Sequence, residues 1–264
     1  LYLERENPVA DVMIGLDQSY LPQLRDDNLL ESYQPAALEL AQDELLIARD
    51  YYALPFDFGY ITLNADTTEL DTLPQSWDAL LDPALEKSII MLNPATSSPG
   101  RNFLLYTIAV FGEPGYLDYW KALKPNILTV AGGWSEGYGL YNQGEAPMVV
   151  SYETSPAYHR QFEGTERYQA LLFDSAAYLQ VEIAGIVRNA KNRTNAERVI
   201  DYILSSEFQQ LIPLNQFMYP VHPDAELPEA FVSDNTVEQP VWLDPAYVRE
   251  NLPRWLEEWE DALR

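Results

Sequence analysis

The stretch VVSYETSPAYH, Val149–His159, decides how this chain folds. Two valines close a strand-like run. Thr154-Ser155-Pro156 then reads as a helix start, with Ser155 as the cap and Pro156 at the first helical position, where a missing N–H costs nothing. Tyr152 and Tyr158 bracket that turn. Two earlier segments read the same way. SIIML runs into NPATSSPG (Asn93–Gly100), with Ser98 and Pro99 as cap and first helical residue, and NILTV runs into AGGWSEG (Ala131–Gly137). Repeated strand–turn–helix units predict an α/β fold with mostly parallel strands. In such a sheet these turns lie at the carboxyl ends of strands, where ligands bind. Each turn offers unpaired backbone N–H groups at the positive end of a helix dipole. Trp134, Tyr152 and Tyr158 add ring faces that can stack on a flat ligand.

Outward from this block, ADVMIGL reads as a buried strand, followed by a helix around Ser19–Leu24. Tyr51–Ala65 is a long aromatic stretch of period-two character, and AYLQVEIAGIVRN is a second long strand. Together they enclose the middle block, so they predict an inserted lobe entered and left by two extended hinge segments, with a ligand cleft between lobes. TNAERVIDYILSSEFQQLI predicts an amphipathic helical pair. DPAYVRENLPRWLEEWEDAL predicts a closing helix interrupted near Pro253.

Composition narrows the function. The chain has 264 residues, 47% of them hydrophobic, which suffices for one large domain or two modest ones. A net charge of -25 argues against nucleic acid as a partner and favours solubility. No cysteine is present, so thiolate nucleophiles, thiolate metal sites and disulfides are excluded. No run approaches the roughly 18 apolar residues of a membrane span. The opening LYLERENPVADVMIGLD lacks the basic and apolar regions of a signal peptide and reads as the interior of a domain.

GWSEG, Gly133–Gly137, matches G-x-S-x-G in the strand-to-helix context of a hydrolase nucleophile elbow. Ser135 would be the nucleophile, His222 the base and Asp201 its orienter. Against that reading, His222 sits in a proline-rich loop, no HGGG-type oxyanion segment is present, and Glu136 would oppose a developing oxyanion. Glu182, inside an apolar strand, predicts either a structural pair with an arginine or a cleft-facing charge that attracts a cation. Tyr51-Tyr52 could suggest a ferric-iron pair, but adjacent strand residues point to opposite faces, which favours packing. His159 is expected to cap or pack against its helix. The histidines and carboxylates show no metal-ligand spacing.

TSSPG, GWSEGYGLYNQGE, VSYETSPAYH, YLQVEIAG and FMYPV, in this order and spacing, resemble the periplasmic thiamine-binding proteins of ABC transporters. The resemblance runs through most of the chain and is weakest from Asp224 to Trp242. It implies a two-lobed periplasmic-binding-protein-like fold of class II, with lobe 1 from residues 1–60 plus 186–264 and lobe 2 from 61–185. It implies a first lobe that lacks its opening strands, and so an exposed sheet edge. It also implies a periplasmic location, no catalysis and no cofactor. The ligand would be thiamine, thiamine phosphate or thiamine diphosphate, and the partner a membrane permease that receives it, without stable insertion in the membrane. Carried over by position, Ser97 falls near the phosphate or hydroxyethyl end, and Trp134, Tyr152 and Tyr158 line the ligand. Phe217 stands where the family usually has tryptophan, which keeps a stacking face but removes an N–H donor. Thiamine's two aromatic rings, one of them cationic, suit these ring faces, and a phosphate suits helix starts bearing Ser97, Ser98 and Ser135. Sibling binders of ferric iron or a polyamine are the alternative within this class.

Overall fold

The computed structural model describes residues 1–40, 45–48, 50–233 and 235–264. The chain forms two compact units, one from residues 1–59, 180–229 and 245–249, the other from 60–179, 230–244 and 250–264. Two long strands, β3 (Leu54–Asp66) and β8 (Ala176–Val187), each contribute to both units. They match the two extended segments expected from the sequence.

In unit 1, β1 (Val12–Asp17) runs antiparallel to β8, with Met13 opposite Gly185 and Asp17 opposite Glu182. A bulge interrupts this register at Gly15, whose φ of +92° suits a residue without a side chain. The α1 helix (Leu21–Asp26) and β2 (Leu30–Glu31) follow, and β2 pairs with the far end of β8. Leu21, Leu24, Leu30, Tyr52 and Ile183 pack into one core cluster. Tyr51 precedes β3 in a left-handed conformation, whereas Tyr52 is core and donates its hydroxyl to Leu21 O at 2.8 Å. The pair is therefore a turn followed by packing.

In unit 2, β4 (Ile89–Leu92) is followed by α2 (Ser98–Phe111) and α3 (Gly115–Leu123). Next come β5 (Ile127–Ala131), α4 (Trp134–Asn142), β6 (Met148–Tyr152) and α5 (Ser155–Glu163). The strands β5, β4 and β6 are neighbours in that order and all parallel. The chain visits β5 on one side of β4 and β6 on the other, so the order reverses at β4. A reversal of this kind is a topological switch point, where an open sheet leaves room for a ligand. On its other side β6 meets β3, antiparallel, from Ile61 to Ala65. The next strand, β7 (Tyr168–Leu171), also pairs antiparallel with β3.

The remaining elements are α6 (Arg193–Ile203), α7 (Ser206–Gln209), α8 (Ile212–Gln216), β9 (Tyr219–Pro220), β10 (Gln239–Val241) and α9 (Pro245–Leu263). Residues 230–244 and 250–264 group with residues 60–179, and the second half of the closing helix packs there. Trp255 donates its indole N–H to Glu113 at 2.9 Å, and the Trp259 ring meets Trp120 edge-on at 5.6 Å. In addition, α9 runs unbroken through Pro253. Proline there removes the bond to the Arg249 carbonyl. The two units divide α9 at that residue. Packing of Val248 on one side and of Trp255 and Trp259 on the other keeps both halves helical.

Candidate functional site

The carboxyl ends of β4, β5 and β6 lie along one edge of unit 2, and a helix starts from each. Hydrogen bonds stitch their turns into a single rim. Asn93 N–H donates to Ala131 O at 2.8 Å, and the Thr96 hydroxyl donates to Gly132 O at 2.7 Å. Glu136 accepts Gly132 N–H at 2.8 Å, so it ties its own helix start to the turn before it. Trp134 donates its indole N–H to the Ser151 hydroxyl at 2.8 Å, which joins the second turn to the third strand.

Glycines set how closely the helices approach. A Cβ on Gly100 would lie 2.5 Å from Leu92 O, and one on Gly137 would lie 2.5 Å from a Leu92 methyl. The starts of α2 and α4 thus rest directly on the last residue of β4. The caps are each one residue earlier than the sequence suggested. Ser97, not Ser98, caps α2, and its hydroxyl accepts Gly100 N–H at 3.3 Å. Thr154, not Ser155, stands at the cap of α5, because the Ser155 hydroxyl is engaged by Ser151 at 2.7 Å. Both prolines fall inside the first turn, where their rings are tolerated at either early position.

Trp134 is 38% exposed and Tyr158 40% exposed, while Tyr152 is half-buried at the end of β6 with its carbonyl accepting the Asn64 amide at 2.9 Å. Behind Trp134 stands a column of rings. Trp134 stacks on Tyr138 at 5.0 Å and 19°, Tyr138 on His159 at 6.0 Å, and His159 on Tyr168 at 3.8 Å. Tyr158 meets His159 edge-on at 5.4 Å. The Tyr138 hydroxyl lies 2.9 Å from His159 Nε2, and His159 Nδ1 lies 2.9 Å from Glu163. Burial pushes the Tyr138 phenol well above its ordinary range, so it is a neutral hydroxyl here. His159 is a buried member of this column, in keeping with the packing role expected of it.

Ser97, Ser98, Trp134, Ser135, Tyr152 and Tyr158 thus all belong to unit 2, at or beside the three helix starts. Phe217 belongs to unit 1, where it ends α8 in a left-handed conformation (φ 54°, ψ 39°). The sequence reading missed Ser151, Tyr138 and Glu163. Their signal was present as a spacing of four: Trp134 to Tyr138, Ser151 to Ser155, Ser155 to His159, His159 to Glu163.

The hydrolase reading fails on its parts. Ser135 is an ordinary residue in the first turn of α4, and it is not among the residues with positive φ, so the strained elbow is not formed. Asp201 accepts the Tyr33 hydroxyl at 2.8 Å, and His222 Nδ1 accepts Asp224 N–H at 3.2 Å. Glu182 is corrected as well. Its neighbours are Gln180 at 3.3 Å and two carboxylates, Asp17 directly opposite and Asp57, in place of the expected arginine. Among the described residues, no group of three or more His, Cys, Asp or Glu could hold a metal ion.

An α/β chain in two units, joined through two shared strands and with helix starts and rings along one sheet edge, has the build of a solute-binding protein. The chain belongs to the family of bacterial extracellular solute-binding proteins, whose model matches residues 7–251. It is 33% identical over 266 residues to the thiamine-binding periplasmic protein of Escherichia coli, covering 100% of this chain and 79% of that one. It is 33% identical over 263 residues to the thiamine-binding periplasmic protein of Brucella abortus, covering 98% of this chain and 77% of that one. A solved structure of a periplasmic thiamin-binding protein superposes with a TM-score of 0.91 at 33% identity, over 100% of this chain and 82% of that one. These relatives are binding proteins and not enzymes.

Proposed function

We propose that the protein captures thiamine or one of its phosphate esters in the periplasm and delivers it to the permease of an ABC transporter. The observation that carries this reading is Trp134 on the rim. Its ring is backed by Tyr138 on one face and tied at its N–H edge, and the residue is more than a third exposed. An electron-rich face held this way suits a cationic heteroaromatic ring such as thiazolium. Tyr152 and Tyr158 stand at the neighbouring strand end and helix start of the same unit. The helix starts bearing Ser97, Ser98 and Ser135 suit a hydroxyl or phosphate, since backbone N–H groups and the helix dipole both favour negative charge there. The relatives named above, at 33% identity over nearly the whole chain, support the ligand class. No helix of the described residues is long and apolar enough to cross a membrane.

Titration calorimetry with thiamine, thiamine phosphate and an unrelated vitamin is the direct test. Heat with a thiamine compound alone is the expected result, and heat with neither thiamine compound sinks the proposal. Trp134→Ala and Tyr158→Ala are each expected to weaken thiamine binding by about 0.5–2 kcal/mol, the value of one aromatic or cation–π contact. Both side chains are more than a third exposed, so the thermal transition should stay cooperative. A variant that loses that transition would show its ring to be core.

A further inference from the structure

We propose that Ser151 is the positioning residue of the ligand site, holding the Trp134 ring at the angle the ligand needs through a hydrogen bond that Ser155 backs. The inference rests on Trp134 being a stacking face for the ligand. Two branches hold the ring, one at its N–H and one at its stacked face. Trp134 N–H donates to Ser151 at 2.8 Å, and the Ser151 and Ser155 hydroxyls lie 2.7 Å apart. On the stacked side of the ring, the Tyr138 hydroxyl lies 2.9 Å from His159 Nε2, and His159 Nδ1 lies 2.9 Å from Glu163.

The chemistry of each member fixes its direction. Indole is a donor only, so Ser151 must accept. A carboxylate is an acceptor only, so His159 Nδ1 carries the proton toward Glu163. Ser151 and Ser155 are buried, as are Tyr138 and His159, whereas Glu163 is 47% exposed. The two branches therefore anchor a rim side chain to α5, one at Ser155 and one at His159, through groups that water does not loosen. A buried polar chain of this kind rigidifies what it holds only while every member is satisfied.

The consequence concerns specificity. Trp134 has two ring faces and one N–H. Tyr138 covers one face and Ser151 takes the N–H, so the ligand meets at most one face and no donor. Such a wall rewards an electron-poor ring cation for its charge and shape, and gives nothing extra to a neutral ring that offers a hydrogen-bond acceptor. A ring free to turn about its χ angles would lose that discrimination, and would have to be ordered each time a ligand binds.

The test is a double-mutant cycle on the full chain, with thiamine as the probe. Ser151→Ala is expected to raise Kd about five- to tenfold, the range that one positioned hydrogen bond commands. In a Trp134→Phe background the same substitution should change Kd less than about twofold, because the group it acts through is gone. Equal losses in both backgrounds would overturn the proposal, as would no loss in either. A second readout needs no ligand. With 15N-labelled tryptophan, the indole N–H signal of Trp134, assigned by its disappearance in Trp134→Phe, should move and exchange faster with water in Ser151→Ala. An unmoved signal would also overturn it. If Ser151→Ala does not fold, Ser155→Ala removes the bond that holds the Ser151 hydroxyl and carries the same cycle, with a smaller effect of the same sign. Should the unsubstituted protein not bind thiamine, the functional reading fails, and the indole signal still decides the role of Ser151.

Discussion

Gly100→Ala is expected to destabilise the protein by about 2–3 kcal/mol, although alanine is the better helix former. Inside a helix, the exchange of glycine for alanine on its own gains about 0.5–1 kcal/mol. At Gly100 that gain is outweighed by contact. The added methyl would sit 2.5 Å from Leu92 O, 2.8 Å from Leu92 C and 2.9 Å from Leu92 Cβ. The first two are backbone atoms of β4, where Leu92 is paired to Ala131 of β5, and they cannot move aside singly. Overpacking a tight site typically costs about 1–3 kcal/mol, and a rigid neighbour puts Gly100 at the upper end or beyond it. For a chain of this size the loss corresponds to a fall in Tm of roughly 5–10 °C. Gly137→Ala should cost less, since its closest contact is the mobile end of Leu92, a methyl at 2.5 Å. Gly139→Ala, in the same helix as Gly137 with nothing within 4 Å, should be neutral or slightly stabilising. Thermal melts of the three variants check the ranking. A stable Gly100→Ala protein would mean that α2 does not rest on β4 as closely as described. Gly137→Ala bears on function as well, because it shifts the helix that starts with Trp134.

The same glycines show what a sequence can convey. The three strand–turn–helix units were legible because strand runs, prolines and serines signal locally, over a few residues. Which serine of Thr96-Ser97-Ser98 would cap was not, because both positions satisfy the same local rule. For α5 the choice turned on Ser151, a residue on the preceding strand that takes up the Ser155 hydroxyl. Glu182 was legible as an anomaly in an apolar strand, yet its partners were not. They come from β1 and β3, and pairing register across strands is a non-local fact. The closing helix was read as broken at Pro253 because the local penalty is plain. What overrides that penalty is the burial of Trp255 and Trp259 against Trp120 and Glu113, which no window of sequence displays.

The buried carboxylates of unit 1 predict that stability falls as pH rises through neutrality, the reverse of the usual acid loss. Asp17 and Asp57 are each 1% exposed, and both Asp57 oxygens lack a hydrogen-bond partner among the described residues. Glu182 stands directly opposite Asp17 and faces Asp57. Gln180 and Gln18 are the polar neighbours: Gln180 donates to Glu182, and Gln18 accepts Val181 N–H. Burial, reinforced by the charge of Asp17, pushes Glu182 up to about 7 from its ordinary 4.5, and burial with the charge of Glu182 holds Asp57 well above its ordinary value. The folded state therefore keeps a proton that the unfolded chain releases. Between about pH 4.5 and 7 the folded protein binds more protons, so its stability declines with pH across that window and stays low above it. A rise from 4.5 to about 7 corresponds to a change on the order of 3 kcal/mol. Asp66 works in the opposite direction. Arg167 and Thr68 hold it below its ordinary value, so its contribution is lost on acidification. Comparison with Glu182→Gln isolates the cluster, because glutamine imitates the neutral acid at every pH. Urea midpoints at pH 5, 6, 7 and 8 should show the variant gaining on the unsubstituted protein as pH rises, with the larger share gained by pH 7. Asp57→Asn should reduce the slope in the same sense. Parallel curves for the unsubstituted protein and Glu182→Gln would mean that Glu182 is ionised throughout the folded state, and that a bound cation, rather than a proton, neutralises it.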